Sequence, residues 1–238
     1  MRIALIGYGK MGKEIEKIAL EREHEIVLKI DITNPEDLTI KNLQKADVAI
    51  EFTMPSSATA NYQLCFEAGI PVISGTTGWL DRQSEVFGKC KNLNGTFFYS
   101  SNFSLGMNIF FALNKKLATL MANRSEYKIE MTEIHHTHKL DAPSGTAITL
   151  AEGIMENISS KSKWVNQKTN ESDELGIISE RIGEVPGTHI IIYDSEVDYI
   201  EITHCAKSRK GLAFGAVLAA EFSKDKKGIL TMNDMLNI

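Results

Sequence analysis

Within its first 31 residues the chain sets a glycine-rich turn between two apolar strands. Arg2 to Ile6 is a short, continuous apolar run, as expected of a parallel strand buried on both faces. Gly7-Tyr8-Gly9-Lys10-Met11-Gly12 follows without a spacer. From Lys13 to Arg22 the residues Ile15, Ile18 and Ala19 recur at helical spacing. Glu25 to Ile30 forms a second strand, and Asp31 ends it. Few folds accommodate strand, G-x-G-x-x-G, helix, strand and acid in this order. Gly7 permits the tight turn, Gly9 lets backbone approach a pyrophosphate, and Gly12 lets the helix close on the strand. Phosphates would rest on the N–H groups of the helix start, contributed by Tyr8, Lys10 and Met11 as well as the glycines. Asp31 falls at about the 20-residue spacing from which an acid accepts hydrogen bonds from the adenosine ribose. A glycine turn can also serve packing alone, and an acid at a strand end can be only a turn former. The context on both sides favours a dinucleotide.

The alternation continues. Residues 46–52 read as a strand, 56–68 as a helix with Ser56 or Ser57 as N-cap, and 70–74 as a strand ending in Gly75-Thr76-Thr77-Gly78. Residues 80–91 read as a helix, and 96–100 as a strand running into Ser101-Asn102-Phe103. Such alternation predicts a parallel sheet that binds ligands beyond the carboxyl ends of its strands. Phe52-Thr53, Gly75-Thr76-Thr77 and Ser101-Asn102-Phe103 all stand at such ends. After an apolar helix at 108–121 the pattern changes to longer strands at 127–135, 176–182, 188–195 and 197–206, with one helix at 144–158. This is α+β, a sheet with helices on one face. Residues 159–174 are polar and read as a mobile loop, while the helix at 212–222 and residues 228–238 return to the first domain. The expected organisation is a Rossmann-type α/β domain from residues 1–103 and 208–238, plus an α+β domain at 104–207.

Residues 130–147 carry the chemistry. Three of the six histidines, His135, His136 and His138, lie within four positions, and Lys139 follows at once. Asp141-Ala142-Pro143-Ser144-Gly145-Thr146 then reads as a turn that opens a helix. An imidazole that titrates near neutrality, a fixed cation and a helix N-terminus together suit a small, multiply charged anion. A zinc site on the three histidines fits poorly, because strand neighbours point to opposite faces; no metal is expected. His138 would face away from His135 if the strand ran that far. Asp141 reads as a turn former. Glu133 shares a face with His135 and could orient a histidine or a lysine. His189 and His204 each read as structural more than functional.

A net charge of −5 argues against nucleic acid, and no apolar run reaches the roughly 20 residues that span a bilayer. Three scattered cysteines suit a reducing compartment, and no secretory signal is legible at Met1, so a cytoplasmic protein is expected.

Glu133-x-His135-His136-x-x-Lys139-x-Asp141-Ala142-Pro143-Ser144-Gly145-Thr146-Ala147 resembles the signature of the 4-hydroxy-tetrahydrodipicolinate reductase (dihydrodipicolinate reductase) family. The resemblance spans the chain. It includes Gly75-Thr76-Thr77-Gly78, Ser101-Asn102-Phe103-Ser104-x-Gly106, Arg181-x-Gly183-x-x-x-Gly187-x-His189 and Ile202-Thr203-His204-x-Ala206-x-Ser208-Arg209. It implies reduction of a cyclic, unsaturated dicarboxylate imine by NADH or NADPH in diaminopimelate and lysine biosynthesis. It implies a homotetramer whose second domain holds the substrate and the subunit contacts. His135 would be the proton donor and Lys139 a second catalytic and binding group. His136, Lys139 and the Ser144-Gly145-Thr146 backbone would hold the substrate carboxylates. The glycine turn, Asp31, Phe52-Thr53, Gly75-Thr76-Thr77 and Ser101 to Phe103 would hold the cofactor. This chain has a tighter glycine turn than many members, and Ile32 rather than a basic residue follows Asp31. Both cofactors are therefore expected to work, with NADH modestly preferred. The alternative is a non-catalytic NAD-binding sensor, which would leave Lys139 no chemical reason to sit beside two histidines.

Overall fold

The computed structural model describes residues 1–208 and 210–238, so Arg209, the last residue of the final motif, lies outside the described residues. The chain divides into two compact units, Met1–Leu105 with Lys210–Ile238, and Gly106–Arg209.

The first segment runs β1 (Arg2–Ile6), α1 (Lys10–Glu21), β2 (Glu25–Ile30), the short α2 (Ile40–Leu43), β3 (Val48–Glu51), α3 (Pro55–Ala68), β4 (Val72–Ser74), α4 (Gln83–Asn92) and β5 (Thr96–Tyr99). The second unit holds α5 (Leu105–Met121), which begins at the junction, β6 (Lys128–His135), α6 (Gly145–Met155), β7 (Lys163–Val165), β8 (Glu174–Arg181), β9 (Thr188–Asp194) and β10 (Tyr199–Cys205). The chain then returns as α7 (Lys210–Ser223), β11 (Gly228–Leu230) and α8 (Met232–Leu236).

The first unit is one six-stranded sheet in the order β11-β5-β4-β3-β1-β2, and every pairing in it is parallel. Of its central strands, β1, β3 and β4 are apolar apart from Arg2, Glu51 and Ser74, and separate buried clusters line its two faces. From β1 the chain moves one way to β2 and then back past β1 to β3. That reversal opens a crevice beyond the ends of β1 and β3, where doubly wound sheets bind ligands.

Two local readings are corrected. The helix over residues 55–68 is not capped by Ser56 or Ser57: it starts at Pro55, with Met54 as N-cap and no side-chain cap. Proline at the first helical position has a fixed φ and no N–H to satisfy, so it starts the helix ahead of the serines. Ser57 lies inside the first turn, and its hydroxyl donates to Met54 O at 3.2 Å. Residues 80–91 are a 3₁₀ turn, Leu80–Arg82, followed by α4 rather than one helix.

The second unit is a mixed five-stranded sheet in the order β10-β9-β6-β8-β7. β9 lies antiparallel to β6 and β10, whereas β8 lies parallel to β6 and β7. Residues 159–174 are thus not all loop, since β7 pairs Lys163, Trp164 and Val165 with Glu174, Leu175 and Gly176. Met131, Leu175, Ile177, Ile191 and Tyr193 face α5 and α6 in one buried cluster, with Ala118, Leu150, Ala151 and Ile154. The opposite face keeps Ile134, Ile178, Ile190 and Ile192 only half-buried. No helix among the described residues is long and apolar enough to cross a membrane.

Candidate active site

The candidate residues form two constellations, one in each unit.

In the first unit, Gly9, Lys10, Met11, Gly12, Phe52, Thr53, Pro55, Gly75, Thr76 and Thr77 line an open cleft of about 390 Å³. Gly7 makes the turn possible: its φ is +96°, and a Cβ there would stand 2.0 Å from Phe52 O. At Gly9, by contrast, a Cβ would meet nothing within 4 Å. Gly9 is the N-cap of α1, makes no side-chain cap, and is followed by a first turn with no acidic residue. The free N–H groups and the helix dipole therefore face an open cradle that a side chain would fill, and that arrangement fits a pyrophosphate.

The floor of the cleft is a buried polar network. Glu51, at the end of β3, is fully buried. Its carboxylate accepts from the Thr53 hydroxyl, from Ser74 Oγ at 2.8 Å and from Asn61 Nδ2 at 3.4 Å. Burial pushes its carboxyl above the usual range, and the hydroxyl and amide donors offset only part of that. Thr53 N–H donates to Thr76 Oγ1 at 2.8 Å, so the same network sets two of the three threonines that line the cleft.

Other residues expected at the cofactor lie outside this lining. Tyr8 donates to Glu16, which pairs with Lys29 at 2.6 Å. Asp31 is half-buried and accepts the N–H of Ile32 at 2.8 Å, while Ile32 is 88% exposed. Ser101 is exposed, Asn102 Oδ1 accepts the Ser104 N–H at 2.9 Å, and the Phe103 ring is buried against Phe98 and Phe52. Phe103 can thus offer a ligand only its backbone. Pro55, which lines the cleft, carried no sequence signal for that role.

In the second unit, strand register assembles a polar cluster at one end of the helix-covered face. Residues directly opposite on paired strands share a face. Glu133 pairs with Ser179 on β8 and His189 on β9, His135 pairs with Arg181, and His189 pairs with His204. Glu133 is fully buried, and His135 and His189 are nearly so. Glu133 Oε2 lies 3.4 Å from His135 Nδ1 and 4.0 Å from His189 Nε2, and Arg181 Nη2 donates to Glu133 Oε1 at 3.2 Å. Both Glu133 oxygens lie 3.1 Å from the Ser144 N, which donates to them. Burial raises the Glu133 carboxyl, but the Ser144 and Ser179 hydroxyls, the Ser144 N–H and His135 outweigh it, and the group is held below its ordinary range.

The two imidazoles are lowered as well, which for them favours the neutral form. Burial lowers His135, Glu133 raises it in part, and Lys139 and Arg181 lower it again. His189 is pushed down to about 4, first by burial and then by His135. The two rings stand edge to face at 5.2 Å between centroids. Glu133, His135 and His189 are close enough to hold a cation, but Arg181 and the Ser144 N–H already occupy the carboxylate.

The turn after β6 supplies the remaining groups. Thr137 N–H donates to Gly183 O at 3.0 Å, and Ile182 N–H donates to His135 O at 2.8 Å. Lys139 Nζ reaches both Asp141 oxygens, at 2.7 and 2.8 Å, and this contact holds Asp141 below the usual carboxylate range. Arg181 also donates to Asp141 O at 2.6 Å, which ties the turn to Glu133. β6 ends at His135, so His138 lies in a turn, 78% exposed, rather than on the far face of a strand. His136 is half-buried beside it, 6.2 Å ring to ring.

Ser144 caps α6: its Oγ accepts Ala147 N–H at 3.2 Å. The first turn of α6 contains no acid, and Gly145 is exposed and Thr146 half-buried. Because Ser144 gives its own N–H to Glu133, the N–H groups that this helix start could offer an anion are those of Gly145 and Thr146. His135, Lys139 and this helix start are thus brought together in one unit. His189 and Arg181 join them through strand order, which no local pattern in the sequence encodes.

Comparison with known proteins is uniform. A family model described as "Dihydrodipicolinate reductase, N-terminus" matches residues 1–103, and one described as "Dihydrodipicolinate reductase, C-terminus" matches residues 106–236. A protein of Christiangramia forsetii named 4-hydroxy-tetrahydrodipicolinate reductase is 50% identical over 239 residues, covering 100% of this chain and 98% of that one. One of the same name from Methanopyrus kandleri is 37% identical over 83% of this chain and 74% of its own length. A dipicolinate-bound dihydrodipicolinate reductase from a Paenisporosarcina species superposes with a TM-score of 0.78 at 25% identity, over 98% of each chain. An amine dehydrogenase from Mycobacterium smegmatis, at 10% identity and a TM-score of 0.59 over 98% of this chain and 95% of that one, shares the fold alone.

Proposed function

Because this chain belongs to the dihydrodipicolinate reductase family, we propose that His135 and Lys139 carry its reaction. The chain is an oxidoreductase of lysine and diaminopimelate biosynthesis, reducing 4-hydroxy-tetrahydrodipicolinate, through its dehydrated form, to tetrahydrodipicolinate. The observation that carries the residue assignment is the convergence of His135, Lys139 and the bare start of α6 in one unit.

The cofactor is NADH or NADPH, and when bound it supplies a hydride. The Gly7-to-Gly12 turn holds its pyrophosphate on the N–H groups of α1, Asp31 takes the adenosine ribose hydroxyls, and Thr53 and Thr76 wall the cleft. Asp31 repels a 2′-phosphate and Ile32 offers no compensating charge, so NADH is preferred modestly. Ser101 to Phe103 contribute backbone.

The substrate carries two carboxylates. One rests on the Gly145 and Thr146 N–H groups, where the helix dipole favours an anion. The other takes Lys139, displacing Asp141 from the ammonium, with His136 beside it. His135 in its imidazolium form gives the proton from one ring nitrogen to the carbon next to the site of reduction and is left neutral. Lys139 steadies charge throughout.

The half-buried isoleucines on the open sheet face of the second unit, with Tyr199 65% and Ile200 39% exposed on its edge strand, support a homotetramer. Free Cys65, Cys90 and Cys205 support a reducing, cytoplasmic setting. The test is an assay coupled to the condensation that forms the hydroxylated ring, following loss of NADH and of NADPH absorbance, with light scattering on the same sample. Turnover with either nucleotide is expected. Cofactor binding without turnover would favour the sensor, and a monomer at micromolar concentration would remove the tetramer.

A further inference from the structure

Glu133 joins four parts of the second unit's cluster. It meets the proton donor at 3.4 Å, the second histidine at 4.0 Å, Arg181 at 3.2 Å and the N-cap of the anion-binding helix at 3.1 Å. A carboxylate with no exposed surface is costly unless its charge is used. If its only work were to cap the Ser144 N–H, a neutral acceptor would suffice. The buried Nδ1 of His135 makes no hydrogen bond, and Glu133 Oε2 is the carboxylate oxygen it faces. That nitrogen can take up a proton only in the direction of Glu133.

We propose that Glu133 is the positioning residue of the reduction: with Arg181 as its counter-ion, it holds His135 in the Nδ1–H tautomer and locks the ring and the α6 N-terminus into one unit. The inference rests on the reading of His135 as proton donor. With Nδ1 committed to Glu133, Nε2 is the nitrogen that carries the mobile proton. In the acid form both nitrogens are protonated, the proton on Nε2 is transferred to the substrate carbon, and the ring remains neutral with Nδ1–H in place. Substrate carboxylates and proton donor are then registered to each other through a single side chain, so that anchoring the anion at Gly145 and Thr146 also fixes its distance from Nε2. Arg181 strengthens this register from the turn side, because its contact with Asp141 O ties the Lys139 loop to the same carboxylate.

Glu133→Gln keeps the shape and one acceptor for Ser144 but removes the charge. We expect kcat to fall at least about tenfold, while the dissociation constant for dipicolinate, measured by calorimetry without turnover, stays within about threefold. Glu133→Asp, which restores the charge on a shorter stem, should recover part of kcat. Histidine ¹⁵N spectra of the wild type, with the His135 signal identified by its loss in His135→Gln, should show the Nδ1–H form. An Nε2–H tautomer in the wild type overturns the proposal whether or not the variants fold. So does a folded Glu133→Gln with kcat within twofold of wild type, or with kcat and dipicolinate affinity lost in equal proportion. A wild type that neither turns over nor binds dipicolinate would instead sink the assignment of His135.

Discussion

Gly187 is buried just before β9, and a Cβ on it would lie 3.1 Å from His135 Nε2. Gly187→Ala therefore places a methyl group against the nitrogen that would hold the mobile proton. Ordinary contact begins at 3.4 Å, so the ring or the strand must yield by roughly 0.3 Å. The strand resists, because Gly187 O accepts the Ala206 N–H at 2.8 Å and His189 pairs with Glu133 two residues on. The ring moves instead. If about 1 Å of misplacement costs about 10²-fold in rate, 0.3 Å costs about fourfold, and a few tenths more about tenfold. That corresponds to about 1 kcal/mol in the barrier. The carboxylate contacts are untouched, so KM should stay within about twofold. At a φ of +155° alanine is strained, and that strain exceeds the roughly 0.4–1 kcal/mol gained from lost unfolded-state freedom. The melting temperature should then fall, by about 2–4 °C for each kcal/mol of net strain. Steady-state kinetics and a melting curve on the same preparation decide the matter. A kcat within twofold of wild type, with or without a fall in melting temperature, would show that the strand gives way and the ring does not.

Other expected outcomes are more direct. His135→Gln should lower kcat by about 10²-fold or more with a smaller change in KM, and near-normal turnover in a folded variant removes it from proton delivery. His135 is held below its ordinary pKa in the free protein, so its acid form is lost as pH rises and kcat/KM should fall along a limb centred below about 6.5. Substrate carboxylates raise it again, so the kcat limb should lie at higher pH, and coincident limbs would contradict the assignment. Asp31→Ser should move the ratio of kcat/KM values toward NADPH from a wild-type preference for NADH of less than about tenfold. A wild type strongly favouring NADPH and unmoved by the change would mean that the 2′-phosphate is held elsewhere. Glu51, raised by burial, binds its proton more tightly folded than unfolded, so its contribution to stability is full at acid pH and is lost as pH climbs through the folded pKa. Glu51→Gln should remove that decline, and parallel melting-temperature profiles for the two proteins would refute it.

Much of this was legible in sequence where local rules dominate. The strands at Arg2–Ile6 and Glu25–Ile30 fall where their apolar runs place them, and the glycine turn between them forms the cleft. α1 starts three residues early, at Lys10, because the second half of the glycine motif is already its first turn. β7 escaped notice because a three-residue edge strand carrying Lys163 has too few positions to show a period. The histidine cluster was half legible. Alternation put Glu133 with His135, but Arg181 and His189 arrive through the β9-β6-β8 order, a long-range choice that leaves no local trace. The turn at residues 141–146 opens a helix as expected, yet the partner of the Ser144 N–H could not be read, since Glu133 lies eleven positions back.

The first unit is made from two pieces of chain separated by the whole of the second. Its β5 edge waits for β11, and the sheet face formed by Ile3, Leu5, Val48 and Phe98, with Ile15 of α1 beside it, waits for Ala213, Ala216, Val217 and Ala220 of α7. During synthesis the missing pieces emerge last. At about 5–20 residues per second, the interval between β5 and β11 lasts on the order of ten seconds. Throughout it the nascent sheet shows a bare apolar face and an unpaired edge, whereas the second unit has its full set of strands and helices before α7 appears. The inserted unit can therefore fold first and hold the two ends of its host near one another, shortening the loop that the nucleotide-binding sheet must close. Transient exposure to chaperones and to neighbouring ribosomes is then set by where one unit interrupts the other.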